Sequence, residues 1–367
     1  MKRHLICIVI TWFALLSQAL ADTQLTYQET RIPMAAAGTE GLEALLVWPN
    51  DAKPHPLALI NHGSPRDGSK RLQMSAIASL PIAMEFARRG FAVAVVMRRG
   101  YASSGGGWAE NTGSCTAPNY LRSAAAASQD LHTIIHYLNT LPQFDTHKIL
   151  AVGVSAGGFS TVALTADNPP PGLVAAISFA GGRGSKANNF VCTPDRLVDA
   201  FSVFGKTSHT PMLWIYAEND HFFNPTLANR LHTAFTASGG QATLKIVPPY
   251  GDEGHFLFST AGIPVWTLLV DAFLKEQNLV LVDSLLPLPT PPKLAAPHSL
   301  SAHGKTDFAS YLKGAPHKAF AIDPNGAYGW RTGQRSIGDA KTEALKNCQK
   351  NTEETCRVIA IDNTLQP

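Results

Sequence analysis

Ser155 lies at the centre of residues 153–157, a segment in which glycines stand two positions before and two positions after the serine. The apolar residues 149–152 come directly before this segment and predict a short buried strand. A strand that turns sharply into a helix strains its central residue, and small neighbours leave room for it. Such a turn exposes the hydroxyl and aims the next backbone N–H groups at a developing oxyanion. The pattern indicates that Ser155 is a nucleophile.

A serine nucleophile needs a base within hydrogen-bond reach and a carboxylate that orients this base. The predicted strand 211–217 leads into a polar loop with Asp220, and the predicted strand 242–247 leads into a glycine-flanked loop with His255. Catalytic side chains of such sheets collect at the carboxyl ends of the strands. We therefore predict Asp220 as the acid and His255 as the base, in the chain order Ser, Asp, His.

Neighbouring residues leave alternatives open at both positions. His221 could replace His255 as the base, although it adjoins the predicted acid. Asp220 could instead be the N-cap of the segment that follows it. The carboxylates that could replace Asp220 as the acid are Glu218, Asp252 and Glu253.

Acyl transfer also needs hydrogen-bond donors for the oxyanion. The first expected donor is the N–H of Ala156, directly after the nucleophile. The second should come from the loop that follows the predicted strand 57–60, where the N–H of Gly63 or Ser64 could donate. The alternative is a tight turn with no catalytic part.

A glycine-rich loop over residues 98–107 follows another predicted strand. Tyr101 in this loop could face the substrate. Arg98 or Arg99 could bind a substrate carboxylate, and we take Arg99 as the candidate; an arginine here could equally brace the loop through a salt bridge.

The remaining pattern predicts the elements that position these residues. Apolar runs without two-residue alternation are interleaved with helical stretches from residue 25 to about residue 282, which indicates a mostly parallel sheet with helices on both faces. Residues 24–31 and 42–48 predict an antiparallel edge. The helical stretches cover residues 75–89, 119–141, 195–204, 225–238 and 264–277.

These motifs together resemble the α/β-hydrolase superfamily and, within it, the dienelactone-hydrolase-like group. The resemblance covers roughly residues 40–280 and implies an α/β-hydrolase fold. The nucleophile of true dienelactone hydrolases is a cysteine, whereas this chain has Ser155, which favours a serine esterase over lactone chemistry. The same scaffold also carries serine peptidases, so the resemblance leaves ester and amide substrates open.

The first 21 residues have the features of a secretory signal peptide. A basic start, the apolar residues 5–16 and small residues before a cut after Ala21 fit that pattern, and the apolar run is too short for a comfortable membrane anchor. We expect a periplasmic or secreted protein that begins at Asp22. Removal of residues 1–21 lowers the formal net charge from +3 to +1, which gives no electrostatic reason to bind nucleic acid or anionic lipid.

Four cysteines remain after residue 21, and an even number in an exported protein suggests two disulfides. Of the three possible pairings, the domain organisation favours Cys115–Cys192 and Cys348–Cys356. Metal binding is the weaker alternative, because the spacing typical of metal ligands is missing. The sequence predicts no cofactor and no metal.

The predicted domains are a signal peptide (1–21), a hydrolase domain (22–283), a proline-rich linker (284–303) and a small α+β domain (304–367). The last resembles an uncharacterised domain of bacterial exported proteins. Tyr328 and Trp330 in it could bind a glycan or a protein surface if exposed, or belong to its core.

We expect an exported serine hydrolase that acts on a small-molecule carboxylic ester. A serine peptidase of the same fold, acting on a peptide, is one alternative. A catalytically silent hydrolase fold that serves as a binding protein is the other.

Overall fold

A computed structural model describes residues 24–366, and the predicted signal peptide lies outside this range. The described chain contains fourteen strands and eight α-helices, together with short 3₁₀ helices over Ala35–Glu40, Gly68–Gln73, Ile77–Ser79 and Gly254–Phe256. In chain order the strands are β1 (Leu25–Ile32), β2 (Leu42–Pro49), β3 (His55–Asn61), β4 (Ala92–Val96), β5 (Phe144–Val154), β6 (Leu173–Phe179), β7 (Ser185–Ala187), β8 (Phe190–Val191), β9 (Met212–Ala217), β10 (Ala242–Val247), β11 (Ala319–Ile322), β12 (Tyr328–Arg331), β13 (Arg357–Ile361) and β14 (Thr364–Leu365). The helices are α1 (Leu80–Ala87), α2 (Tyr120–Leu138), α3 (Ala156–Leu164), α4 (Pro194–Gly205), α5 (Pro225–Ala237), α6 (Ile263–Glu276), α7 (Ala302–Lys313) and α8 (Ile337–Gln349).

The large sheet has eight strands in the order β1-β2-β4-β3-β5-β6-β9-β10. The β1–β2 and β2–β4 pairs are antiparallel, and all other neighbours in this sheet are parallel. This arrangement confirms the predicted mostly parallel sheet with an antiparallel edge. The parallel strands end at one edge of the sheet, so the loops after β3, β5, β9 and β10 meet there.

Helices cover both faces of this sheet, as predicted. Side chains of α2, α3, α4 and α5 pack on one face around Leu57 and Leu59 of β3. Side chains of α1 and α6 pack on the other face around Ala58 and Ile60 of the same strand. Successive residues of a strand point to opposite faces, so a strand buried on both sides has no polar alternation.

The helix boundaries follow local capping signals. The Asn119 side chain accepts a hydrogen bond from the Arg122 N–H and begins α2. The Asn224 side chain accepts one from the Leu227 N–H and begins α5, with Pro225 in the first turn. The predicted helix over residues 75–89 is shorter in the structure, where residues 77–79 form a 3₁₀ turn before α1.

A separate antiparallel sheet lies at the C-terminus, in the order β12-β11-β13-β14. Helix α7 packs on it through Phe308 and Tyr311, and helix α8 packs on the opposite face through Ala340 and Ala344. Ser336 caps α8 by accepting a hydrogen bond from the Asp339 N–H. The sequence did not predict α7.

Candidate active site

Ser155 occupies the junction between β5 and α3 with φ 57° and ψ −122°, a left-handed conformation that non-glycine residues rarely adopt. Its backbone is fixed from two sides. The Ser155 N–H donates to the Phe179 carbonyl at 2.9 Å, and the Ser155 carbonyl accepts from the Gly182 N–H at 3.1 Å. Neighbouring segments therefore hold the strained turn in place.

The loop after β3 approaches this turn so closely that a side chain at Gly157 has no room and one at Gly63 would be crowded. A Cβ atom on Gly157 would lie 2.0 Å from the Asn61 carbonyl oxygen, and one on Gly63 would lie 3.1 Å from the Ser155 Cβ. This contact brings the predicted second donor loop beside the predicted nucleophile.

Asp220 and His255 meet at the ends of β9 and β10. The His255 Nδ1 and Asp220 Oδ2 atoms are 3.1 Å apart, and both side chains are buried. The other carboxylate oxygen of Asp220 accepts hydrogen bonds from the Phe222 and Phe223 N–H groups at 2.7 and 2.9 Å. This arrangement fixes the carboxylate, which can then hold the proton of His255 on Nδ1 and leave Nε2 free to accept a proton.

The structure places the alternative residues differently. The His221 side chain is 39% exposed and lies 3.3 Å from a Glu253 carboxylate oxygen. Glu253 also accepts a hydrogen bond from the His255 backbone N–H, so it holds the loop rather than the ring. Glu218 and Asp252 are exposed.

Two cavities meet at Ser155. The larger, of about 490 Å³, is lined by Ser155 together with His255 and several apolar side chains: Met74, Val154, Phe222, Phe256 and Phe258. The smaller, of about 140 Å³, carries the basic side chains Arg66, Arg71, Arg183 and Lys186. Ser64 lines both cavities. A substrate bound across Ser155 would thus contact a mainly apolar surface on one side and several basic side chains on the other.

Two of the predicted oxyanion donors belong to Ala156 and Ser64, which line the smaller cavity together with Ser155. Ala156 is the first residue of α3, where N–H groups have no intrahelical acceptor. Within residues 24–366, neither the Ala156 N–H nor the Ser64 N–H has a hydrogen-bond partner. Both groups are therefore available to a ligand.

The structure does not bring the two predicted substrate-binding residues to these cavities. Arg99 donates from Nε to Asp130 at 2.6 Å and from Nη2 to the Gln129 side chain at 2.9 Å. Tyr101 is fully buried, and its hydroxyl donates to Glu110 at 3.2 Å. Neither residue lines either cavity. Arg99 instead forms a salt bridge that braces the loop, which was the alternative considered for this residue in the sequence analysis.

Behind the donor loop lies a buried polar network that the sequence did not predict. Glu110, with no exposed surface, forms ion pairs with Arg98 and Arg183. Burial alone would raise the pKa of Glu110, but the two guanidinium charges outweigh it and hold this pKa at about 2. The carboxylate therefore stays ionised at neutral pH.

His62 joins this network to the donor loop. Its Nε2 accepts a hydrogen bond from the Arg98 backbone N–H at 3.1 Å, so the proton lies on Nδ1, which donates to the Gly63 carbonyl at 2.7 Å. Burial, with the nearby Arg98 charge, lowers the pKa of His62 to about 3. The imidazole is neutral at physiological pH.

Both predicted disulfides are present. Cys115–Cys192 joins the loop before α2 to the segment before α4, and Cys348–Cys356 joins the end of α8 to the segment before β13. In the described part of the chain, no group of three or more His, Cys, Asp or Glu side chains could hold a metal ion. No helix among residues 24–366 is long and apolar enough to span a bilayer.

A family model described as "Dienelactone hydrolase family" matches residues 78–261, about half of the chain. The chain belongs to the dienelactone hydrolase family. A second model, described as a domain of unknown function (DUF4189), matches residues 317–365. No curated protein sequence matches the chain. The protein thus combines a hydrolase-family unit with a C-terminal unit of another family.

Solved structures share the fold at low sequence identity. An esterase from Thermogutta terrifontis is 16% identical with a TM-score of 0.51, and the match covers 70% of this chain and 96% of that one. A structure titled as a putative dipeptidyl aminopeptidase IV from Bacteroides ovatus is 16% identical with a TM-score of 0.52, covering 70% of this chain and 36% of that one. At such identities the likeness concerns the α/β-hydrolase fold.

Proposed function

We propose that this hydrolase-family protein cleaves carboxylic esters through an acyl-enzyme intermediate. Ser155 is the nucleophile, His255 the general base and then general acid, and Asp220 the residue that orients His255. The N–H groups of Ala156 and Ser64 stabilise the oxyanion, with Gly63 allowing the close approach of the donor loop.

The contact between His255 Nδ1 and Asp220 Oδ2 carries this proposal, because it leaves Nε2 as the basic atom of a ring that lines the same cavity as Ser155. As the Ser155 oxygen attacks the carbonyl carbon, its proton moves to His255 Nε2 and the carbonyl oxygen becomes an oxyanion. The bond between the carbonyl carbon and the ester's alkoxy oxygen then breaks, and His255 returns the proton to the departing alcohol. A water molecule then attacks the acyl-enzyme with His255 again as the base, which releases the carboxylic acid and restores the Ser155 hydroxyl.

The experiment is labelling of the purified protein with a fluorophosphonate probe, together with hydrolysis of a short-chain p-nitrophenyl ester. Wild type should label and turn over, and Ser155→Ala should do neither. Ser259→Ala is the matched control, because Ser259 lines the same cavity without a proposed role. A wild-type protein that neither labels nor hydrolyses the ester would contradict the proposal and favour a silent binding protein.

A serine peptidase remains the enzymatic alternative. The same triad would attack an amide, and the leaving amine would take the proton from His255. Hydrolysis of a peptidyl p-nitroanilide at a kcat/KM above that of the p-nitrophenyl ester would favour the peptidase.

We also propose that the protein is exported after cleavage behind Ala21 and acts in the periplasm or outside the cell. Two disulfides in the described residues support this, because such bonds persist in oxidising compartments. The mature protein would then consist of a hydrolase domain (22–283), a linker (284–303) and a C-terminal domain (304–367). If mass spectrometry of the protein from the exported fraction gave the mass of a chain that still begins at Met1, the proposal would be contradicted.

For the C-terminal domain we propose binding of a glycan beside strand β12. A cavity of about 840 Å³ there combines the half-buried rings of Tyr328 and Trp330 with the amide side chains of Gln334, Asn347 and Asn351. Asp307 and Arg331 also line this cavity, and rings that stack on sugars beside side chains that hydrogen-bond to hydroxyls suit a glycan. Retention of wild type but not Trp330→Ala on a purified polysaccharide would support the proposal; equal retention would contradict it and leave a protein surface as the alternative.

A further inference from the structure

The ion pairs of Glu110 form one continuous connection to the loop that presents the second oxyanion donor. Arg98 and Glu110 have no exposed surface, and Arg183 is 5% exposed. Arg98 donates to Glu110 from Nε, and Arg183 donates to Glu110 from Nη1 at 2.7 Å. A buried carboxylate shared by two guanidinium groups holds both in fixed positions, because each alternative position would leave a charge unpaired.

Arg98 also holds His62 in place through two hydrogen bonds. Its Nη2 donates to the His62 carbonyl at 3.0 Å, and its backbone N–H donates to His62 Nε2 at 3.1 Å. The ring of Tyr101, whose hydroxyl also donates to Glu110, lies edge-on to the imidazole with centroids 4.5 Å apart. The Arg98 side chain therefore holds the His62 carbonyl, and the Arg98 backbone N–H sets the tautomer of the His62 ring.

His62 in turn fixes the direction of one peptide group. Its Nδ1–H donates to the Gly63 carbonyl at 2.7 Å, and the next peptide N–H along the chain is that of Ser64. Within the described chain all peptide bonds are trans, so the Gly63 carbonyl and the Ser64 N–H point in opposite directions from one rigid plane. Holding the carbonyl against His62 aims the Ser64 N–H away from His62, and Ser64 lines both cavities together with Ser155.

Arg183 connects the same carboxylate to the other side of the nucleophile. It follows Gly182, whose N–H donates to the Ser155 carbonyl at 3.1 Å. Arg183 Nη2 also donates to the Glu110 backbone carbonyl at 2.9 Å, so the segment that contacts the nucleophile turn is tied to Glu110 twice.

We infer that Glu110 is a positioning residue that holds the Ser64 N–H and the Ser155 turn in the relative geometry that oxyanion binding requires. This inference rests on the proposed function, since it assigns Glu110 a part in that same reaction. Glu110 touches no substrate; it acts through Arg98 and His62 on one side and through Arg183 on the other.

The test uses the full-length protein and compares Glu110→Gln with Asp130→Asn. Asp130 is the matched control, because it is another fully buried carboxylate paired with an arginine of the same glycine-rich loop, Arg99, but has no bond to His62 or Arg183. For a short-chain p-nitrophenyl ester, Glu110→Gln should lower kcat by about 100-fold, the usual effect of losing one oxyanion donor, with KM changed less than threefold. Asp130→Asn should change kcat less than threefold.

Inhibition by phenylboronic acid supplies a readout that general loss of stability would not change. Its tetrahedral adduct with Ser155 places an oxygen where the oxyanion forms, so its inhibition constant should rise in Glu110→Gln in parallel with the fall in kcat/KM. Thermal unfolding midpoints of both variants are measured alongside. If Glu110→Gln does not fold, Glu110→Asp replaces it, because the shorter side chain keeps the charge and cannot reach both guanidinium groups.

Equal losses of kcat in the two variants, or a boronate affinity unchanged in Glu110→Gln, would overturn the inference and leave Glu110 a purely structural residue. Both results require an active wild type. A wild-type protein that neither reacts with a fluorophosphonate nor hydrolyses the ester would instead overturn the proposed function, and the inference with it.

Discussion

The imidazole of His255 lies flat against the ring of Phe222, with centroids 3.9 Å apart and planes inclined by 7°. The guanidinium carbon of Arg66 lies 3.3 Å from the centroid of the same phenyl ring. Arg66 is itself bonded to the Ser185 side chain and to the His221 carbonyl. Phe222 is thus held from two sides, and His255 rests on a fixed surface.

We expect Phe222→Leu to lower kcat because His255 loses the flat surface that fixes its ring plane. A misplacement of the base by a fraction of an ångström should cost about 10-fold to 100-fold in kcat. Phe256→Leu is the matched control, since Phe256 meets His255 edge-on at 5.8 Å and is 58% exposed. Steady-state kinetics of both variants test this, and equal rates would show that the stacking does not position the base.

Asp220→Asn should keep the fold of the loop and lose most of the activity. The asparagine oxygen can still accept from the Phe222 and Phe223 N–H groups, but the amide nitrogen would then face His255 Nδ1 and favour the wrong tautomer. By analogy with the loss of the acid in a catalytic triad, kcat should fall by about 10⁴-fold. Glu253→Gln tests the alternative acid, and a larger loss in Glu253→Gln than in Asp220→Asn would contradict our assignment.

The large sheet could be predicted from sequence because its central strands are continuous apolar runs. Each of β4, β6 and β9 is buried over nearly its whole length, and the turns between elements carry glycine or proline. The β7–β8 hairpin has strands of only three and two residues, too short for a periodic signal. Helix α7 follows a proline-rich stretch and buries only Gly304, Phe308 and Tyr311, so its pattern is weak.

The positions of Ser155, Asp220 and His255 after β5, β9 and β10 could be predicted because each follows a predicted strand with a local motif. Glu110 and Arg183 have no such signal. Glu110 and Arg183 stand 73 positions apart in the chain, and an ion pair between remote segments leaves no spacing to recognise. The side chain of Tyr101 turns inward because Glu110 offers its hydroxyl a buried acceptor, which the sequence does not reveal.

The neutral, buried His62 should make the protein less stable as the pH falls. The folded-state pKa is lowered from 6.5 to about 3, so between these values the unfolded chain binds a proton that the folded chain does not. Over that window the free energy of unfolding should fall by about 1.4 kcal/mol per pH unit because of this group. Above pH 6.5 His62 is neutral in both the folded and the unfolded state, so it no longer makes the free energy of unfolding depend on pH.

Urea unfolding at pH 7, 6, 5 and 4 measures this dependence. His62→Asn cannot take up the proton, so its free energy of unfolding should be lower at pH 7 but should fall less steeply with pH than that of wild type. Equal slopes for wild type and variant would show that His62 is protonated in the folded state as well.

The two disulfides should differ in what they stabilise. Cys115–Cys192 closes a separation of 77 residues and Cys348–Cys356 one of 8. Chain entropy predicts stabilisation of roughly 4 kcal/mol for the first and roughly 2 kcal/mol for the second. The Cys192 carbonyl accepts a hydrogen bond from the Tyr120 hydroxyl, and Arg183 and Lys186, which precede Cys192 in the chain, line the smaller cavity. Loss of the Cys115–Cys192 disulfide should therefore also disturb the candidate site.

The double variant Cys115→Ser/Cys192→Ser should therefore lower both the thermal midpoint and the rate of ester hydrolysis. Cys348→Ser/Cys356→Ser should destabilise the C-terminal sheet, because both cysteines are buried in the cluster between α8 and this sheet, and should leave ester hydrolysis within a factor of two of wild type. Calorimetry and p-nitrophenyl ester kinetics on the two variants separate these effects. A fall in ester turnover on loss of Cys348–Cys356 as large as on loss of Cys115–Cys192 would show that the C-terminal domain supports the hydrolase site directly.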